Sequence, residues 1–397
     1  MPNTLSGMSK LKDIQVDTEW MTSIRHHLHQ YPEIGLEEER TPDFIADHLV
    51  KLGYEVHQGI AKTGLVGTLK NGSSKKSLGI RSDMDGLPMA EKNELPYASK
   101  ISGRMHACGH DGHMAMLLGA AKAIAERKAF DGTLHLIFQP AEENHGGGKI
   151  MVEEGLFDRF PCDAVFALHN KPDLPAGYIG VRSGPVMAAV DEALITVHGK
   201  GGHGASPENA ADPIVAGASI VMALQTIVSR NIEAFEPAVV TVGAFKSGTV
   251  SNIIPDEAEL VVGIRSFDPK TRDFLEQRII QIAQDQARSY GMSATVDYRR
   301  SYDATVNHKA ETDFVKQKAE EFLGIEKVVY LEKPSMGSED FAYMLQSKPG
   351  CMFSIGMGRP NEAALPLHHP QYDFNDDILP VGAGFWTYLA ESFLKKA

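Results

Sequence analysis

Ser77-Leu78-Gly79-Ile80-Arg81-Ser82-Asp83-Met84-Asp85-Gly86 is the stretch on which the fold turns. Leu78-Gly79-Ile80 is a short apolar run, the pattern of a strand buried on both faces. It leads directly into two acids and a glycine, so a buried strand ends at a polar rim. The same arrangement recurs downstream. Thr133–Phe138 reads as a strand and leads into Gln139-Pro140-Ala141-Glu142-Glu143. Asp163–Leu168 reads as a strand and leads into His169-Asn170. Between the first two strands, Asp111 to Arg127 carries Met114, Leu117, Leu118, Ala121 and Ile124 at helical spacing. Strands alternating with helices predict an α/β fold with a mixed, mostly parallel sheet sandwiched by helices. Ligands of open α/β sheets bind at the carboxyl ends of strands. The three clusters therefore converge on one crevice. A fourth, Met105-His106-Ala107-Cys108-Gly109-His110-Asp111-Gly112-His113, lies at the start of the helix, again at a loop edge.

Upstream, Thr18 to Gln30 and Thr41 to Gly53 read as helices, followed by strands at Tyr54–His57 and Gly64–Leu69. The pattern changes near residue 187. Ala193–His198 alternates as a half-exposed strand, Pro213–Val228 is a helix, and Ala238–Phe245 and Ala258–Ser266 are strands. Lys270–Tyr290 is a long helix and Ser293–Tyr298 a last strand. That βαββαβ order predicts a ferredoxin-like α+β domain. The expected organisation is a discontinuous domain over residues 1–186 and 303–397, interrupted by a smaller one over 187–302.

The 397 residues suit two to three domains, or one large domain with an insertion. Lys and Arg total 39 against 52 Asp and Glu, a net charge of −13. With only isolated basic pairs such as Lys75-Lys76 and Lys395-Lys396, nucleic acid is not an expected partner. No apolar run approaches the roughly 18 residues of a membrane helix, so no membrane partner is expected. Met1 to Lys12 is polar, without a signal-peptide core. Three cysteines make no disulfide framework, and a reducing, cytoplasmic location fits.

Thiolate, imidazole and carboxylate together suit a borderline divalent metal such as zinc. Taken singly, each residue has an ordinary explanation. His169 reads as a hydrogen-bonded histidine, Cys108 as an inert buried thiol, and Glu142-Glu143 as a solvated pair. Their clustering on one rim favours a metal site. His106 and His113 fit the ligand spacing too, and the residues alone leave both open.

Taken together, these motifs closely resemble those of the N-acyl-amino-acid amidohydrolases. This is the hippurate hydrolase and indole-acetyl-amino-acid hydrolase branch of the dinuclear metallopeptidases that include aminoacylase and carboxypeptidase G. The resemblance runs from about Ile24 to Asp377. It covers Arg25 to His29, Tyr31 to Glu33, Arg81 to Pro88, His106 to His113, Gln139 to Glu143, Gly201 to Pro207, Ser251 to Pro255, Gly337 to Ala342 and Leu367 to Pro370. It implies two divalent ions per subunit (zinc, manganese, nickel or cobalt) held by Cys108, His110, Glu143, His169 and His368. The family pattern Leu-His-x-Pro selects His368 over His369. Related peptidases carry His-x-Asp where this chain has Asp83-Met84-Asp85. Asp85 is then a carboxylate that orients a ligand, and Asp83 has no assigned role.

The resemblance implies hydrolysis of the amide of an N-acyl amino acid (hippurate-like, N-acetyl or aromatic-acyl) to a carboxylic acid and an amino acid. Glu142 is the expected general base toward a metal-activated water. The inserted domain is the expected lid and dimerisation domain, giving a homodimer or higher homo-oligomer. His203 is expected to reach the scissile carbonyl, in the neighbouring subunit's site. Asn252 and Arg265 are the expected grips on the substrate carboxylate. Glu339 is placed in the pocket, with helix capping by Ser338 an equal alternative. Dipeptidase or carboxypeptidase activity at the same site, or a thiol hydrolase with Cys108 as nucleophile, are the competing readings.

Overall fold

The computed structural model describes residues 13–359 and 362–396, so the polar stretch Met1–Lys12 lies outside the described residues. The chain divides into two compact units. Met1–Val186, Val306–Pro334 and Asp340–Ala397 form one, and Met187–Thr305 with Ser335–Glu339 form the other.

The first unit is built on an eight-stranded sheet. Its strands are β1 (Glu55–Ile60), β2 (Gly64–Asn71), β3 (Ser77–Asp83), β4 (Gly132–Gln139), β5 (Ala164–Pro175) and β6 (Ile179–Val181), joined by Val328–Tyr330 and Gly350–Gly358. The spatial order is β1-β2-β4-β3-β5, then Gly350–Gly358, β6 and Val328–Tyr330. The four central strands, β4, β3, β5 and Gly350–Gly358, run parallel. Antiparallel β1 and β2 complete one side of this mixed sheet. Every residue of β3 is buried, so both of its faces are covered, as its unbroken apolar run requires.

Helices α1 (Thr18–Gln30), α2 (Arg40–Lys51) and α3 (His110–Arg127) flank the sheet, with Lys309–Leu323 and Leu379–Phe393. Asp17 caps α1 by accepting the Trp20 N–H, and Tyr31, which leaves the helical region before Pro32, ends it. Nearly all of α3 is buried, from His110 through Ile124, and it packs against both α1 and the C-terminal helix.

One strand outruns its sequence reading. Asp163–Leu168 is the expected extent, yet β5 continues to Pro175. Gly350–Gly358 supplies the ladder, pairing Ser354 with His169 and Ile355 with Asn170. His169 and Asn170 therefore sit within a strand rather than after one.

The second unit carries a four-stranded antiparallel sheet in the order Ala238–Lys246, Glu257–Ser266, Ala189–His198, Ser293–Tyr302. Helices Pro213–Thr226 and Pro269–Ser289 complete the βαββαβ order. Each opens with an aspartate cap, Asp212 or Asp268, followed by proline at the first helical position. Alternate residues Ala193, Ile195 and Val197 join Ile220, Leu224, Leu275 and Ile279 in the core. Here the sequence expectation about apolar runs needs correction. Pro213–Asn231, the helix plus a π-turn over Ile227–Asn231, is long and apolar enough to cross a membrane by length and composition. Its Ala216, Ile220, Leu224 and Ile227 belong to the unit's core, while Val215 and Met222 are exposed.

Candidate metal centre

Local backbone geometry brings the ligand types together. Gly109 precedes α3 with φ of 92°, a left-handed value suited to glycine. A Cβ there would lie 2.6 Å from Tyr372 Oη and 2.7 Å from Asn170 Oδ1. The tight turn places Cys108 and His110 beside β5. Cys108 Sγ lies 3.4 Å from His169 Nε2. Candidate ligand atoms of Cys108, His110 and His169 all lie within 4.8 Å of one another, as do those of Cys108, Glu143 and His368. A third group joins His110, Glu142 and Glu143.

Each imidazole is held from behind. His110 Nδ1–H donates to the Asp85 carbonyl at 2.8 Å, and His169 Nδ1–H to the Asn170 carbonyl at 2.8 Å. Both therefore turn Nε2 into the cluster. His110 Nε2 is buried without a hydrogen-bond partner, 3.7 Å from Asp83 and 3.9 Å from Glu143. The Asp85 carboxylate accepts the Glu143 N–H at 3.0 Å, so its carbonyl and its side chain each steady a neighbour. His368 holds φ of 62° and donates its N–H to the Ala107 carbonyl at 2.9 Å. Its Nε2 reaches Glu143 Oε1 at 3.3 Å. His369 Nδ1 instead accepts the Gln371 N–H.

The charges point to a cation. Burial alone would depress His110, yet Asp83, Asp85 and Glu143 overcome it and raise the imidazole to about 10. Burial, reinforced by His113, lowers His169 to about 3, so it is neutral and able to ligate. Burial and the carboxylates of Glu143, Glu142 and Asp83 push the Cys108 thiol well up. A nucleophilic thiol needs the opposite surroundings. An orphaned buried nitrogen amid sulfur, imidazole and carboxylate donors fits a borderline divalent metal.

His106 belongs to none of these donor groups. Burial lowers it to about 4, and both ring nitrogens are buried without hydrogen bonds. His113 is engaged on both sides, with Nδ1 2.7 Å from Asp83 Oδ1 and Nε2 2.7 Å from Asn170 Oδ1. Its ring stands edge-on to His169 with centroids 4.8 Å apart. Asp83, without a role in the sequence reading, accepts from Arg81 Nη1 at 2.8 Å. Arg81 also donates to Gln139 and Asp340, tying the ends of β3 and β4. A cation inside a buried strand, two residues before an acid, was the available signal for that role.

His203, Asn252, Arg265 and Glu339 belong to the second unit. His203 is exposed on a two-residue strand paired with Ile253, and its Nδ1 accepts the Ala205 N–H at 3.0 Å. That fixes the proton on Nε2, which becomes a donor. The Asn252 carbonyl accepts the Gly204 N–H at 2.9 Å. Arg265 Nη1 is buried with no hydrogen-bond partner among the described residues. Glu339 is buried, and its carbonyl accepts from Thr305 Oγ1 at 3.0 Å. The helix Phe341–Ser347 is preceded by Asp340 as its N-cap residue, which corrects the alternative of a Ser338 cap.

The profile of peptidase family M20/M25/M40 matches residues 79–392. Hippurate hydrolase of Campylobacter jejuni is 41% identical over 386 residues, covering 97% of this chain and 99% of that protein. The IAA-amino acid hydrolase ILR1-like 4 of Arabidopsis thaliana is 38% identical, covering 99% of this chain and 89% of the relative. A Bacillus subtilis dinuclear metal binding peptidase of the M20 family superposes with a TM-score of 0.82 at 32% identity, covering 95% and 98% of the two chains. The chain belongs to peptidase family M20/M25/M40, as a metal-dependent amidohydrolase of the hippurate hydrolase and IAA-amino acid hydrolase-like branch.

Proposed function

We propose that the enzyme hydrolyses N-acyl amino acids, of the hippurate, N-acetyl or aromatic-acyl type, using Glu142 as general base. The observation that carries this reading is the shared cluster of Cys108, His110, Glu143, His169 and His368 donor atoms with Glu142 alongside. These five side chains would hold two divalent ions, drawn from zinc, manganese, nickel and cobalt. When bound, such ions supply Lewis acidity toward water and the amide oxygen.

Glu142 is buried beside Glu143. It takes the proton of the attacking water and passes it to the amide nitrogen as the C–N bond breaks. Asp85 holds His110 and the Glu143 backbone in register. His203, whose Nε2 is a donor, is assigned to the developing oxyanion. Arg265 and Asn252 are assigned to the substrate carboxylate, and the unpartnered Arg265 Nη1 supports this. Glu339 is assigned to the pocket wall. A homodimer through the second unit is supported by its edge strand Ala238–Lys246 and by exposed Val215, Met222 and Phe245. Three free, buried cysteines support a cytoplasmic location.

Glu142→Ala tests the base. Hippurate turnover is expected to fall roughly 100- to 10,000-fold with bound metal unchanged by elemental analysis. Loss of metal in that variant would remove the assignment. A screen of N-acyl amino acids against dipeptides with free amines separates the amidohydrolase reading from the dipeptidase one.

A further inference from the structure

Glu38 sits in the run Glu37-Glu38-Glu39-Arg40, outside every motif used so far. Its neighbours Glu37 and Glu39 are exposed, but Glu38 is wholly buried. Its Oε2 accepts from Thr63 Oγ1 at 2.7 Å, and its Oε1 accepts the Ala141 N–H at 3.0 Å. Ala141 immediately precedes Glu142 and holds φ of 54°, a left-handed value that an alanine adopts only when its surroundings impose it.

The surroundings do impose it. The Ala141 carbonyl accepts the Gly147 N–H at 3.1 Å, so both polar groups of this residue are fixed. Gly35 presses on the same loop, where a Cβ would lie 2.7 Å from Ala141 Cα and 2.5 Å from Asn144 Oδ1. The loop that carries Glu38 is itself pinned, since the Glu33 carboxylate accepts the N–H groups of Arg40 and Thr41. A rigid loop before α2 therefore grips the turn that aims Glu142.

We propose that Glu38 is a positioning residue for Glu142, holding the left-handed Ala141 turn from which the base projects. The inference rests on the reading of Glu142 as the base. Burial raises the Glu38 carboxyl to about 7, with the Asp85 charge adding to it. In either protonation state an oxygen remains to accept the Ala141 N–H. Glutamine offers the same acceptor, and alanine offers none.

The test compares Glu38→Ala, Glu38→Asp and Glu38→Gln in the metal-loaded full chain. Hippurate kinetics are measured alongside amide hydrogen exchange over residues 140–147 without substrate. Glu38→Ala and Glu38→Asp, which remove or withdraw the acceptor, are expected to lower kcat about 10- to 100-fold with KM little changed. Exchange at 140–147 should quicken while bound metal stays constant. Glu38→Gln should keep kcat within about threefold and keep protection. If Glu38→Ala does not fold, Glu38→Asp against Glu38→Gln carries the comparison. Wild-type kcat and exchange in a folded Glu38→Ala or Glu38→Asp, or equal damage from Glu38→Gln, overturns the proposal. Exchange reports on the turn independently of catalysis. An active Glu142→Ala would therefore defeat the base reading while leaving Glu38's hold on Ala141 separately measured.

Discussion

At the scale of single residues, chemistry was legible where residue type and position coincided. Cys108, His110 and Glu143 are ligand types beside strand or helix ends, His169 is one within a strand, and the fold gathers their donor atoms. His368 required a choice of register, and its Nε2 rather than a His369 nitrogen faces Glu143. Glu38 was not legible, because its role depends on burial that only tertiary packing creates. A glutamate between two acids reads as solvated, yet the turn before Glu142 closes over this one. Its pH behaviour follows. The folded value of about 7 lies above the ordinary 4.5, so Glu38 is protonated more readily in the fold. Its favourable contribution is complete below about pH 4.5 and is lost as pH rises through about 7. Glu38→Gln removes that loss. The variant's melting temperature should climb relative to wild type between pH 5 and 8, reflecting roughly 1–3 kcal/mol at the alkaline end. Parallel profiles for the two proteins would contradict it.

At the scale of elements, period and punctuation read well. The apolar run of β3, the stripe of α3 and the βαββαβ order of the second unit all appear in the structure. What a local reading lacked was partners. β5 continues through His169 because Gly350–Gly358, nearly 200 residues away, completes its ladder. The helix Pro213–Asn231 does not read as one long apolar run because Ser219, Gln225, Thr226 and Ser229 interrupt it. The turn before α3 carries a sharp expectation. Gly109→Ala adds a Cβ at φ of 92°, against Asn170 and Tyr372. It should cost about 1–3 kcal/mol of stability, and displacement of Cys108 and His110 should weaken metal retention. Calorimetry with a metal titration checks both, and an unchanged protein would show that the turn is not strained.

At the scale of the whole molecule, the net charge of −13 sits beside a substrate that is itself an anion. Several of those acids line the candidate metal centre, where bound cations would reverse the local sign. Arg265, whose Nη1 lacks a hydrogen-bond partner among the described residues, is the proposed receptor for the carboxylate. Assembly belongs to this scale too. A mass of twice 43.3 kDa in solution is expected, and Met222→Glu on the exposed face of the second unit should shift it toward the monomer. A monomeric wild type would remove the proposed interface. Divalent metal held by the Cys108-centred cluster is proposed to perform the hydrolysis. The most direct measurement is the rate of benzoate release from hippurate by enzyme stripped with chelator and then reloaded with manganese, zinc, cobalt or nickel. The stripped enzyme should be silent and should regain activity on reloading. Full activity in the stripped enzyme, abolished by alkylating Cys108, would contradict it.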